Sequence, residues 1–362
     1  MRVLQIITRM DSIGGAQRHL VELCQKAAEN GHEMHLAHGG RMALDAEDLR
    51  GIHLHPVDNL VRPIAPWKDL NALIAIRKLI KKLQPDLVAT HSTKAGIIGR
   101  YAAWMTATPD VHTVHGWSLC FSGSPLKKLL YSQIEGKTHR LADGVICVSE
   151  FDKSHAIHLG LKSSRLRLIY NGRPTPAEKE IVAPLSSTTR VISVGRLAWP
   201  KQPAQLLRFL VKNSSVQLDL VGDGPDEQST KELAEKLGVA DRVVFHGHVD
   251  NIYPLLKQAD IFALVSDWEG FPMSTLEAMS VGLPTIVSDV GGAGEAIDDG
   301  VTGYAIPRGD ETNLHKRLAE LLDDPAKREV MGRKASELFD QKFQLGSMVD
   351  QTLTLYNEVL AR

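Results

Sequence analysis

VSDWEGFPMSTLEAMSVGLPTIVSDVGG, residues 265–292, encodes in succession the end of a strand, a loop that contains a glycine, a helix and a second strand. The apolar run before it ends at Ser266, a helix is expected to begin near Ser274, and LPTIVSD has the composition of a buried strand. A strand, a helix and another strand in this order predict a βαβ unit with two parallel strands.

The same alternation extends over the rest of the chain. Predicted strands of the first half are VLQII, MHLA, DLVAT, DVHTVH, GVICVS and RLRLIY, and those of the second half include RVISVGR, VQLDLVG, RVVFHG and DIFALVS. Amphipathic helical patterns separate them, so the sequence predicts an α/β fold with two Rossmann-like domains, each built on a parallel sheet. We expect the strand ends of the two sheets to face a central cleft that binds ligand.

The length of 362 residues fits two domains. A stretch rich in Pro, Ser and Thr, NGRPTPAEKEIVAPLSSTT, has no helical period and predicts a linker. We therefore predict an N-terminal domain over residues 1–172, a linker over 173–189, a C-terminal domain over 190–343 and a C-terminal helix over 344–362.

The cysteine pattern and the short apolar runs of the chain both favour a cytoplasmic protein. The three cysteines, Cys24, Cys120 and Cys147, are far apart in sequence, which favours neither a disulfide framework nor a zinc site. The chain has no apolar run of about 18 residues, the length that a membrane-spanning helix needs, and its N-terminal apolar run is too short for a signal peptide. We expect a cytoplasmic protein.

Charge is unevenly distributed along the chain. Residues 1–172 contain 22 Lys and Arg and 15 Asp and Glu, a balance of +7, whereas the remainder has a balance of −8; the first part also holds 12 of the 15 histidines. This asymmetry favours an anionic partner for the N-terminal half, either a phosphorylated acceptor or an anionic membrane surface. An uneven but merely solvated surface explains it equally well. We expect no nucleic-acid partner.

Two carboxylates flank the loop and helix of residues 265–292. Glu269 lies in the loop and Glu277 about one turn into the helix, where the backbone N–H groups of Met273, Ser274 and Thr275 would be available to phosphate oxygens. Carboxylates also form strong hydrogen bonds to sugar hydroxyls. The segment therefore predicts a site for a phosphorylated sugar; the alternative is that Glu277 supports its own helix and Glu269 is solvated.

Two cations follow another predicted strand, in VISVGRLAWPKQP (191–203). The strand ends at Gly195, Arg196 follows directly, and Lys201 lies at the expected start of a helix. Two such cations can neutralise a diphosphate leaving group without a metal ion. Because no D-x-D triplet follows a strand, we expect no metal dependence. Solvated surface charge is the alternative.

Glycine and short polar residues also occur at strand ends of the first half. MDSIGGAQRHL (10–20) places a Gly-Gly turn between the first strand and helix, where a phosphate could approach the backbone, although packing alone also explains it. THSTKAG (90–96) places Ser92, Thr93 and Lys94 at a helix start. Contact with a phosphate or an acceptor and simple helix capping explain this placement equally well.

A histidine ends the predicted strand in VHTVHGW (111–117). His115 precedes Gly116 at the carboxyl end of the strand, where it could bind a sugar hydroxyl or orient an acceptor, whereas His112 lies within the strand and is expected to pack. A purely structural His115 is the alternative.

In combination and order, these motifs resemble retaining glycosyltransferases of sequence family 4, which have the GT-B fold, over almost the whole chain. The motifs are Gly14-Gly15-Ala16, His115-Gly116, Gly195-Arg196 with Lys201, Val221-Gly222-Asp223-Gly224-Pro225, Glu269 with Glu277, and Gly291-Gly292. The sequence departs from the family pattern at Gln202, where glycine is frequent, and at Gln17, where glutamate is frequent.

The resemblance implies roles for particular residues. Arg196 and Lys201 would bind the donor diphosphate, Glu269 the sugar hydroxyls and Glu277 the ribose, while His115 would lie beside the donor sugar. The expected catalytic residues are Arg196, Lys201, His115 and Glu269. The expected donor-binding residues are Gly15, Gly195, Arg196, Lys201, Glu269, Gly270, Phe271, Met273, Ser274, Thr275 and Glu277. The expected acceptor-binding residues are Ser92, Thr93, Lys94 and His115, all in the N-terminal domain.

The resemblance also implies an activity. A hexosyl group would pass with retained configuration from a nucleotide diphosphate sugar, UDP being the commonest nucleotide, to a glycan or a polyprenyl-diphosphate-linked acceptor. The leaving β-phosphate would accept the proton, without metal or cofactor. The setting would be bacterial surface-polysaccharide or glycoconjugate assembly on the inner face of the membrane, where Lys127 and Lys128 could contact lipid. The C-terminal helix would pack on the N-terminal domain.

Other classes of protein share parts of this pattern. A sugar-nucleotide epimerase has two similar domains, and a non-catalytic sugar-nucleotide binding protein would need no leaving-group cations. An NAD-dependent oxidoreductase is less favoured, because the strand-helix turns lack its glycine fingerprint.

Overall fold

The computed structural model describes residues 1–117, 138, 140–176 and 188–362. These divide into two compact units: unit 1 comprises Met1–Gly172 with Leu345–Arg362, and unit 2 comprises Arg173–Gln344. Residues 177–187 of the predicted linker, and Lys127 and Lys128, lie outside the described residues.

Unit 1 is built on a seven-stranded, entirely parallel sheet of order β3-β2-β1-β4-β5-β6-β7. Its central strands are buried on both faces, which explains their nearly continuous apolar runs. The strands are β1 Arg2–Ile7, β2 Glu33–His38, β3 Ile52–Pro56, β4 Leu87–His91, β5 Asp110–Val114, β6 Gly144–Cys147 and β7 Leu166–Leu168. The helices are α1 Gly15–Glu29, α2 Pro66–Leu83, α3 Thr93–Trp104 and α4 Glu150–His158, with a 3₁₀ turn at Ser163–Arg165.

Unit 2 repeats this plan with a six-stranded parallel sheet of order β10-β9-β8-β11-β12-β13. The strands are β8 Thr189–Val194, β9 Val216–Val221, β10 Val243–Gly247, β11 Ile261–Leu264, β12 Thr285–Asp289 and β13 Gly303–Pro307. The helices are α5 Pro203–Lys212, α6 Glu227–Lys236, α7 Tyr253–Gln258, α8 Met273–Ser280, α9 Glu311–Asp323 and α10 Pro325–Lys342, with 3₁₀ turns at Ala240–Arg242 and Ala293–Ala296. The predicted α/β class with two parallel sheets is confirmed.

The last helix, α11 (Leu345–Leu360), belongs to unit 1. It packs on α1 and β5, and its side chains Val349 and Tyr356 are completely buried in the unit 1 core beside Leu20 and Cys24. The core of unit 1 is therefore completed by residues that follow unit 2 in the chain.

Strand order changes direction once in each sheet. In unit 1 the chain adds β2 and β3 on one side of β1 and then crosses to β4 on the other; in unit 2 it does the same around β8 and β11. The loops after two adjacent strands diverge at such a switch point and leave a crevice at the carboxyl ends of the strands. The switch points lie after β1 and β4 in unit 1 and after β8 and β11 in unit 2.

Two predicted boundaries differ from the structure by small amounts. The strand expected to end at Ser266 ends at Leu264, and Ser266 instead forms an isolated antiparallel bridge with Lys201. The helix expected near Ser274 begins at Met273. The loop of residues 265–272 is therefore tied to the loop that follows β8.

Candidate active site

Lys201 and Glu269 form an ion pair at the switch point of unit 2. The ammonium of Lys201 bonds Glu269 Oε1, and the side chains are 18% and 12% exposed. The hydroxyl of Ser266 donates to the same carboxylate oxygen at 2.6 Å. The structure thus brings together two residues to which the family resemblance gives roles at the diphosphate and the sugar, and it adds Ser266, which was not among the predicted site residues.

Arg196 differs from Lys201 in its surroundings. It is exposed directly after Gly195 at the end of β8, and no acidic residue in the described part of the chain pairs with it. The donors of its guanidinium are therefore available to an anion. The two cations flank the same strand end, but one is held by a carboxylate and the other is not.

Glycines fix the backbone of both loops by close approach. A Cβ on Gly222 would lie 2.2 Å from the carbonyl oxygen of Gly195, and one on Gly291 would lie 1.8 Å from that of Glu269. Gly222 and Gly291 also have φ of +126° and +56°. At Gly195 a Cβ would lie 3.0 Å from Cε of Lys201, so its absence leaves room for that side chain. These contacts give a physical reason for the glycine motifs.

Asp267 connects three segments around the pair. One carboxylate oxygen accepts from Gln202 Nε2 at 2.7 Å, the other accepts from Arg308 Nε at 2.9 Å, and its backbone N–H donates to Pro200 O at 2.8 Å. Gln202, where the family has a frequent glycine, therefore fastens the loop after β11 to the start of α5. Neither Asp267 nor Arg308 was predicted.

Glu277 is buried in α8 and forms an ion pair with Arg173, with 2.6 Å between Oε1 and the guanidinium. The two side chains are 9% and 4% exposed. The sequence predicted Arg173 to lie in the linker and did not indicate this contact, because Arg173 begins a stretch without helical or strand pattern. The pair shows that Glu277 does more than support its own helix.

The start of α8 carries backbone donors. Pro272 occupies the N-cap and has no side-chain acceptor to offer, so the N–H groups of Met273, Ser274 and Thr275 have no cap. Gly270 and Phe271 lead into this turn, and the Gly270 carbonyl accepts from Gly292 N at 2.9 Å.

In unit 1, the Gly-Gly turn after β1 leads directly into α1, whose first residue is Gly15. Gln17 Oε1 accepts from Gly14 N at 3.2 Å, and Gln17 Nε2 donates to Arg9 O at 3.3 Å. Glutamate, frequent at this position in the family, could only accept. The departure at Gln17 therefore adds a second bond that closes the turn.

The segment after β4 is held mainly by internal contacts. Ser92 has φ of +67°, a strained value for a side-chain-bearing residue, and its hydroxyl lies 2.7 Å from Thr8 Oγ1. Thr8, not Ser92, accepts from the helix N–H of Ala95, at 3.1 Å. Ser92 occupies the N-cap of α3, but its side chain makes no capping bond. Lys94 pairs with Asp69 at 2.5 Å, which directs its ammonium toward α2. Thr93 is the first residue of α3.

Three histidines converge at the switch point of unit 1. His115 follows β5, and its Nε2 lies 3.0 Å from Nδ1 of His91, while His91 Nε2 lies 2.8 Å from Gln5 Oε1. The ring of His19 meets that of His115 edge to face at 4.8 Å. The predicted position of His115 at a strand end is correct, whereas Gln5, His19 and His91 were missed.

Burial keeps these imidazoles neutral. It lowers the pKa of His19 to about 4, partly opposed by a hydrogen bond to Asn171. Burial also lowers the pKa values of His91 and His115 well below the ordinary value, and the neighbouring imidazoles add to the effect. His112, expected to pack, is buried and lies 2.8 Å from Thr90 Oγ1.

The ligand atoms of His19, His91 and His115 all lie within 4.8 Å of one another, a spacing that a shared metal ion could use. Both ring nitrogens of His91, however, already form hydrogen bonds to His115 and Gln5. A metal ion would have to replace one of them, so the geometry favours a hydrogen-bonded chain.

Comparisons with known proteins match both units of the chain to glycosyltransferases. Residues 13–175 match the family described as Glycosyltransferase Family 4, and residues 176–338 match Glycosyl transferases group 1. The chain is 31% identical, over 84% of its length and 83% of the relative's, to the UDP-Gal:alpha-D-GlcNAc-diphosphoundecaprenol alpha-1,3-galactosyltransferase of Escherichia coli. It is 29% identical, over the full length of both chains, to the lipopolysaccharide core biosynthesis glycosyltransferase LpsD of Rhizobium meliloti.

Among solved structures, HepE of Anabaena in complex with UDP and glucose superposes with a TM-score of 0.82, at 21% identity, over 98% of this chain and 99% of that one. This likeness shows the GT-B fold. The comparisons lend no support to the epimerase alternative. The protein is a glycosyltransferase, and its chain belongs to glycosyltransferase family 4.

Proposed function

We propose that the protein is a retaining, metal-independent hexosyltransferase that uses a UDP-sugar. The acceptor is a glycan or a polyprenyl-diphosphate-linked sugar of bacterial surface-polysaccharide or glycoconjugate assembly. The observation that carries the proposal is the charged switch point of unit 2, where Arg196 is exposed and Lys201 is held by Glu269. Such an arrangement suits a diphosphate that gains negative charge as it leaves.

In the proposed reaction, the acceptor hydroxyl attacks the anomeric carbon from the face that the nucleotide leaves. The bond from that carbon to the β-phosphate oxygen breaks, and the phosphate oxygen accepts the proton of the hydroxyl. Arg196 and Lys201 stabilise the charge that develops on the diphosphate. No side-chain base is required, and no metal ion or cofactor takes part.

The remaining donor contacts are proposed as follows, and the positions of these residues support them. The uncapped N–H groups at the start of α8 bind phosphate oxygens, with help from the helix dipole. Glu269, next to the Ser266 hydroxyl, accepts from sugar hydroxyls, and Glu277 accepts from the ribose. In unit 1, the turn at Gly15 contributes to phosphate binding, and His115 binds a substrate hydroxyl.

Acceptor binding is assigned to the region after β4 and β5, at Ser92, Thr93, Lys94 and His115. The ion pair of Lys94 with Asp69 makes its ammonium a weaker candidate than the backbone and hydroxyl groups around it. Support for the acceptor class comes from the names of relatives, of which one acts on a diphosphoundecaprenol-linked sugar and another takes part in lipopolysaccharide core biosynthesis.

The test is transfer from UDP-hexoses to polyprenyl-diphosphate-linked sugars. Arg196→Ala and Lys201→Ala should each lower kcat by about 100-fold or more, the usual cost of losing a group that stabilises leaving-group charge. Lys236→Ala, an exposed cation of α6 on the same unit, is the matched control and should leave kcat unchanged. Normal turnover in both test variants would overturn the proposed role of the cations.

Two further measurements address stereochemistry and metal. Nuclear magnetic resonance of the product should show the anomeric configuration of the donor, and activity should be complete in excess chelator. An inverted product or loss of activity on chelation would contradict the respective part of the proposal.

Contact with an anionic membrane is a further part of the proposal, and α2 offers a surface for it. Its exposed face carries Trp67, Leu70 and Ile74, which are 80%, 46% and 44% exposed, and continues with the exposed Lys78, Lys81 and Lys82. Apolar side chains followed by cations suit the boundary between acyl chains and anionic headgroups. Among the helices of the described residues, none is long and apolar enough to cross a bilayer.

Liposome sedimentation tests this contact. The protein should pellet with vesicles that contain phosphatidylglycerol at low salt, and Trp67→Ala should reduce the pelleted fraction, because Trp67 is the most exposed large apolar side chain of α2. Trp104→Ala, an exposed tryptophan of α3, is the matched control for α2. Equal pelleting with neutral and anionic vesicles would contradict the electrostatic part.

A further inference from the structure

A chain of hydrogen bonds crosses three adjacent strands of unit 1 and ends at His115. It begins at Tyr356 of α11, whose hydroxyl oxygen accepts from Gln5 Nε2 at 3.4 Å. Gln5 lies on β1, His91 at the end of β4 and His115 directly after β5, and these strands are neighbours in the sheet. Gln5, His91 and His115, called here the histidine chain, are joined by bonds of 2.8 and 3.0 Å.

Each hydrogen bond of the histidine chain determines which nitrogen of the next imidazole carries the proton. Because Gln5 donates its amide N–H to Tyr356, its Oε1 faces His91 and can only accept, so His91 carries its proton on Nε2. A neutral imidazole has one N–H, which leaves His91 Nδ1 as an acceptor. His115 must then donate from Nε2 to His91 Nδ1, and its own Nδ1 is left without a proton.

We propose that Gln5 and His91 are positioning residues that fix His115 as the Nε2–H tautomer, so that His115 Nδ1 accepts a hydrogen bond from a substrate hydroxyl. This inference rests on the proposed function only in assigning the hydroxyl to the substrate. The tautomer itself follows from contacts within unit 1.

The tautomer decides what His115 can recognise. A nitrogen lone pair attracts a hydroxyl proton and repels the oxygens of a phosphate, so His115 contacts the sugar and not the diphosphate. Burial holds the imidazoles neutral. The histidine chain requires this, because a doubly protonated His91 could not accept a hydrogen bond from His115. The histidine chain therefore supplies hydroxyl recognition without adding charge.

The first test reads the tautomer directly. In protein labelled with ¹⁵N-histidine, long-range proton–nitrogen correlation spectra distinguish the protonated from the bare ring nitrogen. His115 should be observed as the Nε2–H tautomer at neutral pH, whether or not a substrate is present. A His115 protonated on Nδ1, or on both nitrogens, would overturn the proposal, and this result does not depend on any transferase activity.

The second test removes the acceptor for His115. His91→Leu should allow His115 to populate both tautomers and should lower kcat/KM about tenfold, the effect of one misplaced hydrogen bond. His91→Asn can present its amide oxygen where Nδ1 lies, so it should restore both the single tautomer and most of the activity. A variant that only damaged packing would not be rescued in this way.

Gln5→Met tests the other end of the histidine chain. It removes the acceptor of His91 while it keeps a buried side chain of similar length, and it should produce mixed tautomers at both histidines. His112, hydrogen-bonded to Thr90 within the same sheet, is the internal control and should keep its spectrum. If Gln5→Met leaves His115 as a single Nε2–H tautomer, the proposed relay is wrong. If the spectra show His115 as the Nε2–H tautomer but the wild-type protein transfers no sugar, the proposed function fails and the tautomer assignment stands.

Discussion

The two switch points have the same strand topology, but one carries charged side chains and the other neutral ones. In unit 2 the loops after β8 and β11 carry charges, with Lys201 paired to Glu269 and Arg196 exposed. In unit 1 the strands β1, β4 and β5 bring together neutral imidazoles and an amide. The shared fold determines where a site lies, whereas the residues at the strand ends determine what it binds.

The difference agrees with the proposed roles, in which unit 2 binds the leaving group and unit 1 binds a hydroxyl. A diphosphate requires countercharge, and unit 2 carries cations on loops fixed by backbone contacts at Gly222 and Gly291. A hydroxyl requires an acceptor that does not compete for phosphate, which a neutral imidazole provides.

The largest expected effect comes from the buried ion pair of unit 2. Glu277→Gln removes the countercharge of Arg173, and loss of one partner of a buried pair costs about 3–5 kcal/mol of unfolding free energy. Glu311→Gln, which alters the more exposed pair with Arg208, is the control and should cost less than about 1 kcal/mol. Urea unfolding measures both. Equal losses would show that burial does not distinguish the two pairs.

Acid should weaken unit 1 through His19. Its pKa is about 4 in the folded protein against 6.5 ordinarily, so between these values the unfolded chain binds the proton and the folded chain does not. The contribution of His19 to the unfolding free energy is complete above pH 6.5 and falls as the pH drops toward 4, by about 1.4 kcal/mol per pH unit and about 3 kcal/mol in all.

Unfolding curves at several pH values between 7 and 4 check this expectation. His19→Gln should make the pH dependence shallower, because the variant lacks that titrating group. His248→Gln, an exposed histidine of unit 2, should leave the slope unchanged. A His19→Gln variant with the wild-type slope would show that other groups cause the acid sensitivity.

The smallest effect is expected at the turn before α1. Gln17→Ala removes the bonds to Gly14 N and Arg9 O and should lower the unfolding free energy by about 1 kcal/mol, as loss of a helix cap does. Gln17→Glu keeps an acceptor for Gly14 N and should cost less. If thermal unfolding shows the reverse order, the acceptor for Gly14 N contributes no stability, because both variants lack the donor to Arg9 O.

Much of the fold was predictable because its pattern is local. Apolar strands and helical periods follow one another in the sequence, and both sheets formed as the alternation indicated. The glycine motifs and the strand-end positions of Arg196 and His115 were also visible. Strand ends lie one or two residues from their predicted positions where a bridge such as Lys201 to Ser266 replaces regular pairing.

The contacts that the sequence did not predict join residues far apart in the chain. Gln5 and His91 are 86 positions apart. Gln5 lies within the apolar strand VLQII, and in THSTKAG, which contains His91, only the three residues after the histidine were predicted to be functional. Arg173 appeared to belong to a linker, because its partner Glu277 lies on another element. Lys94 was expected to contact a ligand, but the first turn of α2 places Asp69 beside it. Pairing of this kind depends on topology, which single-residue patterns do not encode.

The position of α11 has a consequence for synthesis on the ribosome. Unit 1 buries Val349 and Tyr356 completely, yet these residues are translated only after all of unit 2. The nascent N-terminal unit must therefore remain with an open apolar face, and with Gln5 lacking its phenol partner, until the last helix emerges. Folding of the first unit is thus finished last, and a nascent chain that stalls before α11 leaves an apolar surface for chaperones and proteases to recognise.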